Sequence, residues 1–350
     1  MQVGNSMIKE RFDTSYLDSP EIFLRHRLKY YQDTSPTPVS EVTQRVFPNY
    51  FCKSEEGMGL LAQRQSATDA IRRSCPEIII VTATKNRKSG LAIIHNSLVQ
   101  QKGNINWSWV IVDNGSKDNS MEFIKLLQDD RVLPVRFIEQ TGCAYPVRNF
   151  GLDLVHQALY RQMVKTPYVF VLDSDDNFNN PYSLHELAEM RSDFVGNKPG
   201  KVLMHGFSVT ENSRGVGNVF CGTEPHDFSS SFPNVNALSE VFDKGLNVLS
   251  GCFPAECLDW LRYPPEPSFE DNGFNHKLLL RGRALNMTWL AKTFPITTKH
   301  LQPDCMSTEN NMVGNQLLQA KIGEYSVSGM RATIVGHIKY LTDYFYMENL

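Results

Sequence analysis

The feature that most constrains the fold is a regular alternation of short apolar segments with helical patterns after Pro76. The apolar segments are continuous, which is typical of strands in a parallel sheet covered by helices on both faces. The predicted strands are residues 77–84, 107–112, 132–138 and 168–172. The helical patterns cover residues 91–101, 121–127 and a stretch that begins at Pro146. This order predicts βαβ units, and therefore an α/β fold with a Rossmann-like, mostly parallel sheet flanked by helices.

Polar side chains follow three of these predicted strands. They are Thr82, Thr84 and Asn86 after the first, Asp113 and Asn114 after the second, and the run Asp173-Ser174-Asp175-Asp176 after the fourth. The carboxyl ends of parallel strands meet at one edge of a sheet, and ligands of open α/β sheets bind outside that edge. The three groups of polar residues therefore predict a ligand site there.

The acidic run is the strongest chemical signal. Its carboxylates repel each other at the end of a buried strand unless a cation lies among them. An EF-hand calcium loop is excluded, because Phe178 and Leu184 stand where that loop requires Gly and Glu. A solvated turn that caps the next helix stays open. Oxygen ligands of this kind suit Mg²⁺ or Mn²⁺ bound together with substrate phosphates.

Glu270 and Asp271 open a second helical pattern, over residues 270–280. Ser268 and Asp271 have the spacing of a capping box, so helix capping alone accounts for the pair. A carboxylate at a helix N-terminus also stays ionised and accepts a proton from a hydroxyl group. Together with the acidic run, the pair favours Asp271 as a general base.

Two further residues are candidates with a structural alternative each. Arg148 lies one turn into the helix that Pro146 opens, and it is either a bidentate partner of phosphate oxygens or an ordinary surface arginine. His300 is either a nitrogen ligand of the same metal or a structural histidine.

Charge and cysteine content exclude several classes of protein. The chain has 35 Lys+Arg against 38 Asp+Glu, whereas a general nucleic-acid-binding protein usually has a basic excess. The seven cysteines are an odd number without a C-x-x-C motif, and we expect free thiols in a reducing compartment. No apolar run approaches the ~20 residues of a membrane span, and no secretory signal opens the chain. We therefore expect a cytoplasmic protein without a transmembrane segment, and leave a peripheral membrane contact open.

The motifs, taken in order, resemble family 2 glycosyltransferases of the GT-A fold. They are IIIVTATKNR at 78–87, SLVQ at 97–100, VIVDNGSKD at 110–118, GCAYPVRNFG at 142–151, VFVLDSDDN at 169–177 and FED at 269–271. The resemblance covers about residues 76–300. It implies an inverting enzyme that uses a nucleotide-sugar donor and a divalent metal, Mn²⁺ or Mg²⁺.

The resemblance also implies roles for individual residues. Ala83, Asp113 and Asn114 would line the base pocket, with Thr84, Asn86, Arg87, Arg148, Asp173 and Ser174 also near the donor. Asp173, Asp175 and Asp176, with His300, would hold the metal. Asp271 would be the catalytic base and Glu270 its neighbour. A UDP-sugar is the default donor; because Lys85 stands where the family has a base-stacking aromatic residue and Asn114 replaces a frequent Asp, GDP- and dTDP-sugars stay open.

The flanks of this region match no family that we identify. We expect an N-terminal extension of helix and loop over 1–75, with helical patches at 19–31 and 60–73. The predicted catalytic domain spans 76–300, divided into a nucleotide-binding half (76–180) and an acceptor-binding half (181–300). Residues 200–268 are predicted to form substrate-facing loops, and residues 301–350 a C-terminal extension packed on the core.

The predicted function is transfer of a sugar to a hydroxyl acceptor on a glycan, a lipid-linked sugar or a protein. One alternative is a sugar-nucleotidyltransferase, although residues 84–87 lack the glycine-rich loop that this reaction needs. Another is a non-catalytic nucleotide- or carbohydrate-binding module of the same fold. The oligomeric state is not predicted.

Overall fold

The computed structural model describes most of the chain between residues 55 and 300. The described residues are 55–137, 144–159, 167–195, 202–211, 217–220, 251–264, 270–285 and 287–300, together with residues 22, 26, 29 and 30. The predicted C-terminal extension and residues 221–250, which belong to the predicted loop segment, lie outside them.

The helices and strands alternate through the first half of this region. The helices are α1 (Glu55–Ser74), α2 (Lys88–Val99), α3 (Ser120–Leu126), α4 (Tyr145–Leu159), α5 (Ser183–Val195) and α6 (Glu270–Ala284). The strands are β1 (Ile78–Thr84), β2 (Trp107–Asp113), β3 (Val132–Arg136), β4 (Tyr168–Val171), β5 (Asp176–Phe178), β6 (Val202–Glu211), β7 (Gly217–Phe220), β8 (Gly251–Pro254) and β9 (Thr288–His300). A 3-10 helix, Ala255–Asp259, follows β8 directly.

All nine described strands belong to one mixed sheet, in the order β3-β2-β1-β4-β8-β6-β9-β5, with β7 paired to β6. Strands β3, β2, β1 and β4 are parallel to their neighbours. Strand β8 adds antiparallel to β4, and β6 and β9 then pair parallel to each other. The predicted fold class, a Rossmann-like α/β sheet flanked by helices, is confirmed.

Burial on both faces explains why β1 is apolar throughout. Ile79 and Val81 belong to the core layer formed with α1 and α4, whereas Ile78 and Ile80 belong to the layer formed with α2 and α3. All four of these side chains are buried. A strand with polar residues on one face would leave that face uncovered, so the sequence selects a sheet between two helical layers.

Helix α4 lies close against the sheet because it carries Gly151 at the contact. A methyl group at this position would lie 2.5 Å from Cγ1 of Val81 and 3.1 Å from Cγ2 of Val112. The absence of a side chain therefore lets α4 approach β1 and β2 directly. This approach also fixes the beginning of α4, which carries Arg148.

The prediction of loops over residues 200–268 is wrong where the structure describes that segment. Strands β6, β7 and β8 lie there, and the ten-residue β6 pairs with β7, β8 and β9. The sequence of β6, VLMHGFSVTE, mixes polar and apolar residues without a clear strand pattern. Its conformation is selected by pairing with distant strands, which a local pattern does not reveal.

Two further expectations, on the helical patches and on the free thiols, agree with the structure where it can be compared. The helical patch at 60–73 lies within α1, and residues 22, 26, 29 and 30 of the earlier patch are helical. Cys75, Cys252 and Cys257 are free thiols. Among the helices described, none combines the length and hydrophobicity needed to cross a bilayer.

Candidate active site

The candidate site lies at the edge of the sheet where β1, β2 and β4 end. Thr84 is the last residue of β1 and lies in register with Asp113, the last residue of β2. Asp173 follows the end of β4 by two residues. The structure thus places the three predicted groups of polar residues after adjacent parallel strands, as the strand order requires.

Hydrogen bonds tie the loops after β1 and β2 to each other; we call residues 85–87 and 114–119 the paired loops. The backbone N–H of Asn86 donates to Ser116 Oγ (2.8 Å), and the N–H of Lys117 donates to Asn86 Oδ1 (2.7 Å). Asn86 adopts a left-handed conformation, with φ of 53°. Asparagine tolerates this conformation better than most residues, so Asn86 determines the geometry of both loops.

Two more backbone contacts extend this connection. The N–H of Asn114 donates to the Thr84 carbonyl oxygen (2.8 Å), and the N–H of Lys88 donates to Asp118 Oδ2 (2.9 Å). Lys88 is the first residue of α2. The paired loops therefore position the beginning of α2 as well.

The residues predicted to line a base pocket flank these loops. Asp113 is buried, and both of its carboxylate oxygens lie 3.2 Å from the backbone nitrogen of Ser116, which donates to them. Burial raises the pKa of Asp113, although the Ser116 hydrogen bonds oppose this rise. Asn114 is buried and Ala83 half-buried. Asp113 thus organises the turn after β2, and a contact with a base stays a prediction.

The acidic turn, residues 173–176, packs against the first turn of α2. The backbone N–H of Asp176 donates to the Asp173 carbonyl oxygen (3.1 Å) and closes the turn. A methyl group at Gly90 would lie 2.1 Å from the carbonyl oxygen of Ser174. The N-terminus of a helix carries a partial positive charge, so the contact with α2 stabilises the negative charge of the acidic turn.

The structure brings β9 to the same turn. Asp176 begins β5 and pairs with Lys299, so the backbone of the next residue, His300, also lies beside the acidic turn. The side chain of His300 lies outside the described part of the structure. Its predicted role as a metal ligand therefore stays a prediction.

The acidic turn suits a cation that is bound together with a substrate. Asp175 is half-buried and Asp176 is buried. Within the described residues, no group of three or more His, Cys, Asp and Glu side chains is arranged to hold a metal ion. Mg²⁺ typically uses one or two carboxylates and takes its other ligands from phosphates and water. The two carboxylates fit that use and do not form a complete protein-only cage.

Arg148 connects the acidic turn to α6. Its Nη1 donates to Glu270 Oε1 at 2.8 Å, and its Nη2 donates to Asp173 Oδ1 at 2.5 Å. The sequence suggested phosphate oxygens as partners, whereas both of these contacts are to carboxylates of the protein. Burial by itself lowers the pKa of Arg148, but the charges of Asp173 and Glu270 raise it well above its usual value. The guanidinium is therefore a permanent cation.

Glu270 and Asp271 form the first turn of α6, as the sequence predicted. Burial raises the pKa of Glu270 to about 7, while the Arg148 guanidinium opposes this rise and Asp271 adds to it. Asp271 is half-buried and adjacent to Glu270. Ser268, the other member of the predicted capping box, lies outside the described residues. Asp271 thus combines partial exposure with a position in the first turn of a helix, and its role as a general base stays a prediction.

Sequence reasoning missed two residues that position this region. Asn149 Nδ2 donates to the carbonyl oxygen of Tyr263 (2.9 Å), and the N–H of Tyr263 donates to Asn149 Oδ1 (2.7 Å). The Tyr263 ring stacks on Phe274, with centroids 4.2 Å apart, and faces the Arg148 guanidinium at 5.2 Å. The only sequence signal for Asn149 was its position next to Arg148. Its partner Tyr263 is 114 residues away, so no local pattern indicates the contact.

Comparison with known proteins gives a match to one family. The model described as glycosyl transferase family 2 matches residues 79–195. A search of curated proteins gives no match. The fold is similar to that of Staphylococcus aureus TarS 1–349 in complex with UDP-GlcNAc, with 13% identity over 77% of this chain and 71% of that chain and a TM-score of 0.48.

A second solved structure of similar fold is the mannosyltransferase PcManGT from Pyrobaculum calidifontis in complex with GDP-Man and Mn²⁺. It has 13% identity over 81% of this chain and 80% of that chain, with a TM-score of 0.45. The family match covers β1 to α5, and with them the paired loops, Arg148 and the acidic turn. The resemblance drawn from the motifs is thereby confirmed for this segment, and residues 79–195 of this chain match the model of glycosyl transferase family 2.

Proposed function

We propose that the protein is an inverting glycosyltransferase that moves a sugar from a nucleotide-diphosphate sugar to a hydroxyl acceptor. One observation carries the proposal: Arg148 holds the acidic turn and the first turn of α6 together at one edge of the sheet. This arrangement supports a diphosphate site at the acidic turn, next to the candidate base. A UDP-sugar is the donor that we expect, and the acceptor is a glycan, a lipid-linked sugar or a protein side chain.

In this mechanism Asp271 accepts the proton of the acceptor hydroxyl. The oxygen then attacks the anomeric carbon from the face opposite the departing nucleoside diphosphate, which inverts the configuration. Inversion needs only one base, because a single displacement forms no covalent sugar–enzyme intermediate. Asp271, at the start of α6, is our choice for that base.

Asp175 and Asp176 are the residues that would hold a divalent cation, with Asp173 and His300 as further candidates. A bound Mg²⁺ or Mn²⁺ supplies neutralisation of the charge that develops on the diphosphate. Arg148 already engages Asp173 through Nη2. We therefore expect Asp175 and Asp176 to contribute more to cation binding than Asp173.

The test begins with a panel of UDP-, GDP- and dTDP-sugars, each with and without Mn²⁺, followed by thermal unfolding. A ligand that binds only the folded state raises the melting temperature with its concentration. The donor should stabilise the protein more with Mn²⁺ than without, and it should release its nucleotide when a hydroxyl acceptor or water accepts the sugar. NMR of the product should show an inverted anomeric configuration.

Two outcomes would contradict the proposal. Release of pyrophosphate from a sugar 1-phosphate and a nucleoside triphosphate would indicate a sugar-nucleotidyltransferase. Donor binding without metal dependence and without nucleotide release would indicate a non-catalytic binding module.

A further inference from the structure

The contacts of Arg148 suit a residue that connects two elements of the protein better than a residue that binds the sugar donor. Its two Nη atoms donate to carboxylates that stand 25 and 122 residues away in sequence, on the loop after β4 and at the start of α6. Its side chain is only 11% exposed. One cation between two carboxylates satisfies the charge of one of them and fixes the distance between both.

The other contacts of α4 strengthen this connection. Arg148 lies next to Asn149, which holds the backbone of Tyr263 through two hydrogen bonds. Tyr263 precedes α6, and Glu270 is the first residue of α6. Two adjacent residues of α4 therefore hold the chain on both sides of the entry to α6, and Asp271 lies one residue further.

We propose that Arg148 is a positioning residue, whose guanidinium sets the first turn of α6, and with it Asp271, relative to the acidic turn. The inference rests on the proposed function, because it assigns the role of one residue in that reaction. Arg148 acts through Glu270 and Asp173 and does not bind donor phosphate with its Nη atoms. Its Nε has no hydrogen-bond partner among the described residues, so donor contact through this atom is the competing role that the test must separate.

The ion pair of Arg262 with Asp153, a residue of the same helix α4, offers a matched control. Arg262 Nε donates to Asp153 Oδ1 at 2.7 Å, and both side chains are about as buried as those of Arg148 and Glu270. Asp153 lies on α4, and Arg262 also donates to the carbonyl oxygens of Leu258 and Leu261. This pair attaches α4 to the 3-10 helix without contacting the acidic turn or Glu270.

The experiment compares Arg148→Lys with Arg262→Lys. Lysine keeps the charge but offers one ammonium group, which cannot reproduce two directed bonds from a planar guanidinium. Turnover is measured as nucleotide release from UDP-GlcNAc, GDP-mannose and a dTDP-sugar with Mn²⁺, and donor affinity is measured separately by calorimetry. We expect Arg148→Lys to lower kcat about 10- to 100-fold with an unchanged donor Kd, since misplacement by about 1 Å costs up to ~10²-fold. Arg262→Lys should lose stability and keep its kcat.

A readout that is independent of the donor comes from unfolding in urea. Arg148→Gln, Glu270→Gln and the double variant should not be additive, because the double variant removes both partners of the buried pair. Additive losses would show that the ion pair does not form and would overturn the proposal.

The remaining outcomes are distinguishable. A raised donor Kd in Arg148→Lys would assign Arg148 to phosphate binding, and an unchanged kcat would reduce it to a structural role; each overturns the inference while the wild type stays active. A wild type that releases nucleotide from no donor contradicts the proposed function, and the inference fails with it.

Discussion

Two regions of the site are held in place by different interactions. The paired loops are connected by neutral hydrogen bonds between backbone groups and the short side chains of Asn86 and Ser116, in an exposed setting. The acidic turn and α6 are connected by buried charges through Arg148. Neutral bonds at the surface contribute about 1 kcal/mol each, whereas a broken buried ion pair costs several times more.

This difference suggests a division of labour. The loops that we expect to receive the nucleotide are adjustable, because each of their bonds is individually weak. The region that we expect to perform the chemistry is rigid, because both of its carboxylates depend on one guanidinium, and the loss of that cation leaves the two without a counter-charge. Changes in the paired loops should therefore affect donor affinity, and changes near Arg148 should affect turnover.

The largest effect is expected for Asp271→Asn, which removes the proposed base. Turnover should fall about 10²- to 10⁴-fold, the usual contribution of general base catalysis, while the donor Kd changes little. Nucleotide release and calorimetry measure the two quantities. Asp259→Asn is the control, since the Asp259 carboxylate is 69% exposed and contacts His156 away from the site. Full activity in Asp271→Asn would refute its role.

The next effect concerns the pH dependence of stability at Glu270. Its pKa is raised to about 7 in the folded protein from an ordinary value near 4.5, so the folded state binds more protons than the unfolded state between these values. The free energy of unfolding should therefore fall as the pH rises from 4.5 to 7, by on the order of 3 kcal/mol.

Glu270→Gln provides the comparison, because a glutamine does not titrate. As the pH rises from 4.5 to 7, the free energy of unfolding should fall more in the wild type than in Glu270→Gln. Unfolding in urea at several pH values measures both. An equal pH dependence of the two proteins would show that Glu270 titrates normally.

Gly90→Ala tests the contact between the acidic turn and α2, the helix whose beginning the paired loops position. The added methyl group would lie 2.1 Å from the Ser174 carbonyl oxygen, so the helix start or the turn must move. Overpacking of this kind costs about 1–3 kcal/mol, and the displaced turn should lower turnover as well.

Gly59→Ala is the matched control in a helix. A methyl group at Gly59 of α1 has no heavy atom within 4 Å, so the substitution should stabilise the protein by about 0.5–1 kcal/mol. Thermal unfolding and nucleotide release of both variants separate the two cases. Equal stability changes in the two variants would contradict the close contact at Gly90.

The smallest effect on turnover is expected in the paired loops, at Asn86. Asn86→Ala removes the acceptor for the Lys117 N–H and places alanine in a left-handed conformation, at a total cost of about 2 kcal/mol. Asn86→Gly keeps the conformation without the acceptor, and Asn86→Asp keeps both. The donor Kd should rise in the order Asp, Gly, Ala with kcat nearly unchanged. A loss of kcat instead would contradict the division between the two regions.

The strands differ in how well the sequence alone predicts them. The strands of the parallel half were predicted within one or two residues where they can be compared, because burial on both faces imposes an unbroken apolar run such as 78–81. Strands β6 and β8 were predicted as loops. They lie beside β4 and β9, and the pairing that stabilises them joins segments far apart in the chain.

The site shows the same contrast. The acidic turn and Asp113 could be located from sequence, because a polar residue directly after a buried parallel strand has to lie at the carboxyl edge of the sheet. The partners of Arg148 could not be located. A guanidinium pairs with phosphate and carboxylate in the same geometry, so its residue type does not distinguish them.

The sequence by itself determined the layered α/β architecture, the edge of the sheet where polar groups collect, and the family whose model residues 79–195 match. These properties follow from local patterns, since the apolar and polar residues that mark a buried strand and its end are neighbours in the sequence. The tertiary structure decided that Arg148 serves two carboxylates and that Asn86 connects two loops. Such contacts depend on directed bonds of about 3 Å between distant segments, which exist only once the sheet has placed those segments side by side.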